Sequence, residues 1–293
     1  MKLRYLIFIL PLAIASCNNN GDKSDAYGNF EATEVIISAQ GSGKLISFNI
    51  DEGKQLKEGE LVGIIDTVDL SLKRQQLITQ KESMLSRLTN VNSQVEVQRQ
   101  QKKNLNVDND RIAKMYKDGA ATKKQVDDIT GAIEVIDKQI SSTETQSATI
   151  GKDIKGIEKQ VEQINESINK CYIKNESNGT VLVKYTEPGE ITTFGKSLYK
   201  VANLQDMILK VYVSGDQLPK VKIGQKCQVL IDKNEKENTK YEGMIEWVSD
   251  NAEFTPKIIQ TKEERVNLVY AVKVKVKNDG TLKIGMPGEV NFK

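Results

Sequence analysis

From Val126 to Cys171 the seam residues return at alternating intervals of three and four. They are Val126, Ile129, Ile133, Ile136, Ile140, Thr143, Ser147, Ile150, Ile154, Ile157, Val161, Ile164, Ile168 and Cys171, with polar side chains at Thr143 and Ser147. The spacing is a heptad seam, which predicts a long helix packed against a partner helix. At 1.5 Å per residue that helix measures about 70 Å. A rod of this length cannot fold into a compact core, so it projects.

The partner lies just upstream. Leu70, Leu77, Met84, Val91, Gln98, Leu105 and Ile112 recur every seven residues, and Leu88 and Val95 mark a second seam position. Lys81 and Lys102 fall on that second position, and the Asn104–Asp110 run is poor in strong helix formers, so this helix reads as the weaker of the two. Between them lies Lys117-Asp118-Gly119-Ala120-Ala121-Thr122. Gly119 suits a helix C-terminus, and Thr122 with Gln125 is a capping-box pattern. So short a connection makes the helices antiparallel. Residues 68–170 are expected to form one coiled-coil hairpin.

The flanks of the hairpin match each other. Gly43, Gly53 and Gly59 are spaced 10 and 6, as are Gly179, Gly189 and Gly195, at an offset of 136. Leu45 and Ile46 correspond to Val181 and Leu182, and Val62 and Ile65 to Leu198 and Val201. Each half alternates apolar and polar residues between glycine turns, as short half-buried strands do. Neither half buries a core alone, so the two are expected to pack as one pseudo-symmetric sandwich. These residues resemble biotinyl and lipoyl domains. No lysine stands in a short Met-Lys-type turn, which disfavours a swinging-arm carrier role.

Beyond Leu204 the texture changes to strands at Met207–Val213, Gln228–Asp232, Tyr241–Val248 and Tyr270–Val276, with a final one in Gly285–Phe292. Leu218–Gly224 reads as a short helix or turn, and Asn29–Ile37 as a strand entering the same barrel before the sandwich. Short strands separated by turn residues predict a small β-barrel.

Composition narrows the chemistry. The 293 residues include no histidine, which removes His-based acid–base catalysis and His metal ligands. No Gly-rich phosphate loop or nucleophile–base pair stands out, so no catalytic residues, metal or cofactor are assigned and an enzyme is not expected. Lys and Arg total 42 against 40 Asp and Glu, leaving no basic field for nucleic acid. Of the three cysteines, Cys171 continues the seam and Cys227 alternates like a strand residue, so a bridge between them is disfavoured. Gly131, Gly151 and Gly156 lie off the seam of the second helix. Either they admit a neighbouring hairpin closely, or a long helix simply tolerates them.

The N-terminus carries Lys2 and Arg4 ahead of an apolar stretch from Tyr5 to Ser16, too short to span a bilayer and matching a signal-peptide core. Ile14-Ala15-Ser16-Cys17 resembles a bacterial lipobox. That resemblance implies cleavage before Cys17, acylation of its sulfur, and membrane attachment through a polar tether. An ordinary secretory signal is the other reading.

Lipobox, split lipoyl-like module, inserted hairpin and following barrel together resemble the HlyD-type membrane fusion proteins, the periplasmic adaptors of export pumps. The resemblance implies an elongated α+β fold: a long antiparallel coiled-coil α-hairpin inserted into a lipoyl-like β-sandwich, followed by a small β-barrel domain. Its parts are a signal peptide (1–16), a lipidated tether (17–28), a barrel strand with the first lipoyl-like half (29–67), the hairpin (68–170), the second half (171–203) and the barrel (204–293). It implies an inner-membrane transporter and a TolC-like outer-membrane channel as partners, a homo-hexamer, and a periplasmic, lipid-anchored location in a Gram-negative envelope. The Phe254–Val266 stretch resembles adaptors of ABC-type exporters, and the chain ends about where the barrel would, which leaves little room for a further domain. A proton-driven RND or MFS pump is the alternative partner, and an envelope-spanning structural lipoprotein the alternative function. The family's hairpin tip carries Arg-x3-Leu-x6-Ser for channel docking, and Arg111, Met115 and Thr122 stand at those spacings with Met for Leu and Thr for Ser. The other reading makes Arg111 a solvated residue, Met115 a coiled-coil contact and Thr122 a cap.

Overall fold

The computed structural model describes residues 24–233, 237–254 and 268–292. Cys17, the signal segment and residues 255–266 lie outside the described residues. The chain divides into two compact units: Val35–Val201, and the flanking segments through Glu34 and from Ala202. The barrel's first strand, β1 (Ala26–Glu31), starts within the segment assigned to the tether, and the expected strand at Asn29–Ile37 is two strands. The second, β2 (Glu34–Ser38), belongs to the sandwich. Alternation alone does not show where a chain leaves one sheet and enters another.

In the sandwich, β3 (Gly43–Phe48), β4 (Gln55–Leu56) and β5 (Leu61–Ile65) form the first half. After the hairpin comes β6 (Tyr172–Lys174), then β7 (Gly179–Lys184), β8 (Ile191–Thr192) and β9 (Ser197–Ala202). The sheets run β2-β9-β7-β4 and β6-β5-β3-β8, so each is built from strands of both halves. The halves are exchanged by a pseudo-two-fold, as their hydrogen bonds show. Gly53 N–H donates to the Val181 carbonyl at 2.8 Å, and Gly189 N–H donates to the Leu45 carbonyl at 2.7 Å. Both glycines have positive φ, 86° and 95°, which glycine adopts without steric cost. Between the sheets lie Leu45, Phe48, Ile65, Cys171, Val181, Leu198, Tyr199 and Val201, all buried. The Tyr199 hydroxyl donates to Asn175 Oδ1 at 3.0 Å within this core. This is the expected single sandwich interrupted by a hairpin.

The hairpin consists of α1 (Val68–Lys117) and α2 (Lys123–Asn169). The seam's last member, Cys171, is past the helix end and buried in the sandwich core, where burial raises its thiol pKa. Asn104–Asp110 stays helical within α1 despite its composition, because packing against a partner outweighs propensity.

The other unit is a closed barrel. It adds β10 (Asp206–Ser214), β11 (Lys226–Asp232), β12 (Asn238–Phe254), β13 (Leu268–Lys277) and β14 (Pro287–Phe292) to β1, in the order β1-β10-β13-β12-β11-β14. It has a pseudo-two-fold of its own. Val211 opposes Val272 and Val229 opposes Val290, each pair 61 residues apart. Gly224 N–H donates to the Ile245 carbonyl and Gly285 N–H to the Phe30 carbonyl, again 61 residues apart as donors. Cys227 is buried in the barrel core, and desolvation pushes its thiol up to about 11. Cys171 and Cys227 are both free.

Candidate functional site

The hairpin's stem is set by contacts that a one-dimensional pattern cannot show. Val91, Ile150 and Ile154 form a small apolar cluster with Met84 and Leu88 packed against it. The seam lysines reach acids on the facing helix: Lys81 to Glu158 at 2.8 Å and Lys102 to Asp137 at 2.6 Å. Arg99 crosses to Glu144 at 2.7 Å, and the hydrogen bond it donates to Glu144 leads the causes that raise its pKa. Lys81 holds the Glu158 carboxyl below the usual range. Each cross-helix cation comes from α1 and each acid from α2, which fixes the antiparallel register. The polar seam residue Ser147 is also satisfied, donating from Oγ to Asn92 Oδ1 at 2.6 Å.

These contacts carry the chain to a capped tip. The Asp118 amide donates to the Lys114 carbonyl and the Ala120 amide to the Met115 carbonyl. Gly119 takes φ 75°, the left-handed conformation that ends a helix. Thr122 then caps α2: its amide donates to Gln125 Oε1 at 2.8 Å, while its hydroxyl oxygen accepts from the Gln125 amide at 3.3 Å. Such a cap satisfies backbone donors that the helix leaves unpaired.

Arg111 and Met115 come together on one surface, a shallow depression lined by Val107, Asp110, Arg111, Lys114, Met115 and Asp118. Arg111 is paired with Asp108 one turn earlier, yet its side chain is 69% exposed. Thr122 does not line this surface and is engaged in the cap. Val107 and Tyr116 are exposed near the tip and were not singled out from the sequence. Val107 is an apolar residue off the seam, whereas Tyr116 continues the second seam position of Leu88 and Val95. Gly131, Gly151 and Gly156 have open space where a Cβ would stand. Among the described residues no His, Cys, Asp or Glu cluster is arranged to hold a metal, and no helix is long and apolar enough to cross a membrane.

Comparison with solved structures gives the fold. MacA from Actinobacillus actinomycetemcomitans superposes with a TM-score of 0.59 at 22% identity, covering 92% of this chain and 77% of that one. The membrane fusion protein Spr0693 from Streptococcus pneumoniae R6 gives 0.50 at 15% identity over 91% and 97% of the two chains. This chain has the fold of the HlyD-type membrane fusion proteins. A MacA–MexA chimera carrying the Pseudomonas aeruginosa MexA α-hairpin domain matches this fold at 0.52 with 24% identity, over 92% and 80% of the chains. In sequence, this chain is 24% identical over 294 aligned positions to UPF0194 membrane protein YE2891 of Yersinia enterocolitica, covering 91% of this chain and 88% of the relative. No family model matches it.

Proposed function

We propose that this chain is the periplasmic adaptor of an export pump, joining an inner-membrane transporter to a TolC-like outer-membrane channel for small molecules or peptides. The observation that carries this is the exposed tip surface of Arg111 and Met115, held at the end of a capped and register-locked hairpin. A long helical pair closed at its root by a folded sandwich suits a conduit that reaches a distant partner. The partner at the root is an ABC-type exporter, a reading supported by the resemblance of the Phe254–Val266 stretch. Acylated Cys17 anchors the chain on the periplasmic side, with the inner membrane favoured. Six copies form the ring, and transport energy comes from the transporter.

Arg111→Asp tests the tip. It removes the cation from the docking surface and places an acid beside Asp108. Export should be lost while the protein stays folded and membrane-bound. Unchanged export in a strain expressing the variant at normal levels contradicts the docking role.

A further inference from the structure

The barrel holds a basic turn tipped by an isoleucine. After β10 the chain passes through the 3-10 turn Leu218–Lys220 and a tight turn at residues 222–225 before entering β11. Ile223, at the tip, is 67% exposed, while Val221 beneath it is buried. The turn is well fixed. Lys222 N–H donates to Gln225 Oε1 at 3.0 Å, Gly224 takes φ 85°, and Gly224 N–H donates to the Ile245 carbonyl at 2.8 Å. Lys220, Lys222 and Lys226 lie within three residues of the isoleucine in sequence, all are exposed, and none makes an ion pair among the described residues.

The barrel's internal repeat supplies a control. Sixty-one residues on, Leu282-Lys283-Ile284-Gly285 repeats Val221-Lys222-Ile223-Gly224. The counterparts of Lys220 and Lys226 are Thr281 and Pro287. The isoleucine tip therefore recurs with the barrel's symmetry, whereas the triple positive charge belongs to one turn.

That turn lies where the first strand begins. Gln217 Nε2 donates to the Asp25 carbonyl at 2.8 Å, and the Phe292 amide donates to Asp25 Oδ2 at 2.8 Å. Cys227, next to Lys226, opposes Phe292 in register. Ala26 stands nine positions after Cys17, a span that at full extension is about 30 Å. An acyl chain on Cys17 would hold this end of the barrel close to lipid. We infer that the Lys220–Lys226 turn rests on the anionic headgroups of that membrane, with the lysine ammoniums at headgroup level and Ile223 in the interface. The inference builds on the reading of Cys17 as acylated.

The test places Ile223→Trp in a chain whose sole native tryptophan, Trp247, is replaced by Phe. The full-length, cell-processed protein is put into nanodiscs of phosphatidylglycerol with phosphatidylcholine, or of phosphatidylcholine alone, with brominated lipid as quencher. A chain lacking residues 1–17, which keeps every described element, is titrated with vesicles of the same compositions. The introduced tryptophan should shift to the blue and be quenched in the anionic discs. The truncated chain should bind anionic vesicles, and K220E/K222E/K226E should weaken that binding on the order of a hundredfold. Absence of quenching in a protein whose mass shows acylation overturns the inference, as does protection of position 223 that appears only when a protein partner is added. Quenching with a free Cys17 would support the turn's contact and overturn the anchor.

Discussion

Lys54 and Glu190 occupy equivalent positions in the two halves of the sandwich and carry opposite charges. Lys54 pairs with Glu60 at 3.6 Å, and Glu190 with Lys196 at 3.0 Å. All four residues obey the 136-residue offset, so each half closes the same turn with an ion pair of reversed polarity. The requirement lies in closing the turn and not in which side holds the cation. Glu190→Lys should therefore lower the thermal midpoint slightly, and adding Lys196→Glu should restore it. The hydrogen bond from Lys196 is the first cause holding Glu190 below the usual carboxylate range. Its small contribution is present above the ordinary carboxylate pKa and is lost as pH falls through the depressed one.

The same symmetry sets an expectation for glycine. Gly53 and Gly189 have positive φ and open space where a Cβ would stand. Alanine at either site costs only the backbone strain, about 1 kcal/mol. Urea unfolding of Gly53→Ala and Gly189→Ala should give nearly equal losses. A large difference between them would show that the two turns are not equivalent.

Thr122→Ala removes the hydroxyl that accepts from Gln125 and should cost about 1 kcal/mol of helix stability. Hydrogen exchange should quicken in the first turn of α2 and stay unchanged at the root of the hairpin. Since Thr122 is engaged in the cap and does not line the Arg111–Met115 surface, export should fall less than with Arg111→Asp.

Thiol counting examines the cysteines. Cys171 and Cys227 are buried, and burial raises both pKa values. Neither should react quickly with a disulfide reagent at pH 8 in the native protein. A raised pKa stabilises the fold below the unfolded thiol's pKa. The Cys227 contribution is thus complete at neutral pH and is lost as pH rises through about 11. Denatured protein should show two thiols if Cys17 is acylated and three if the intact chain leaves it free.

The hairpin and the sandwich were legible because their signals repeat: a seam at three and four, and glycines at 10 and 6. Lys81 and Lys102 read as flaws because their partners, Glu158 and Asp137, are fixed only by the antiparallel register. The strand expected at Tyr241–Val248 extends to Phe254 through a bulge in which Ser249 and Asn251 bond to each other. The barrel's own repeat passed unnoticed, since its clearest sequence trace is the short Lys-Ile-Gly shared by residues 222–224 and 283–285. At the tip, the resemblance to the family's Arg-x3-Leu-x6-Ser pattern singled out Arg111, Met115 and Thr122, whereas the separation of Thr122 from the surface of the other two follows from the loop's geometry.

The most direct measurement is in vivo photo-crosslinking from Met115, with Val97 on the hairpin stem as the control, followed by mass spectrometry of the adducts. A crosslink from Met115 to an outer-membrane channel protein, absent from Val97, is the expected result. Equal crosslinking from both positions, or none to any outer-membrane protein in cells that export normally, would contradict the adaptor account.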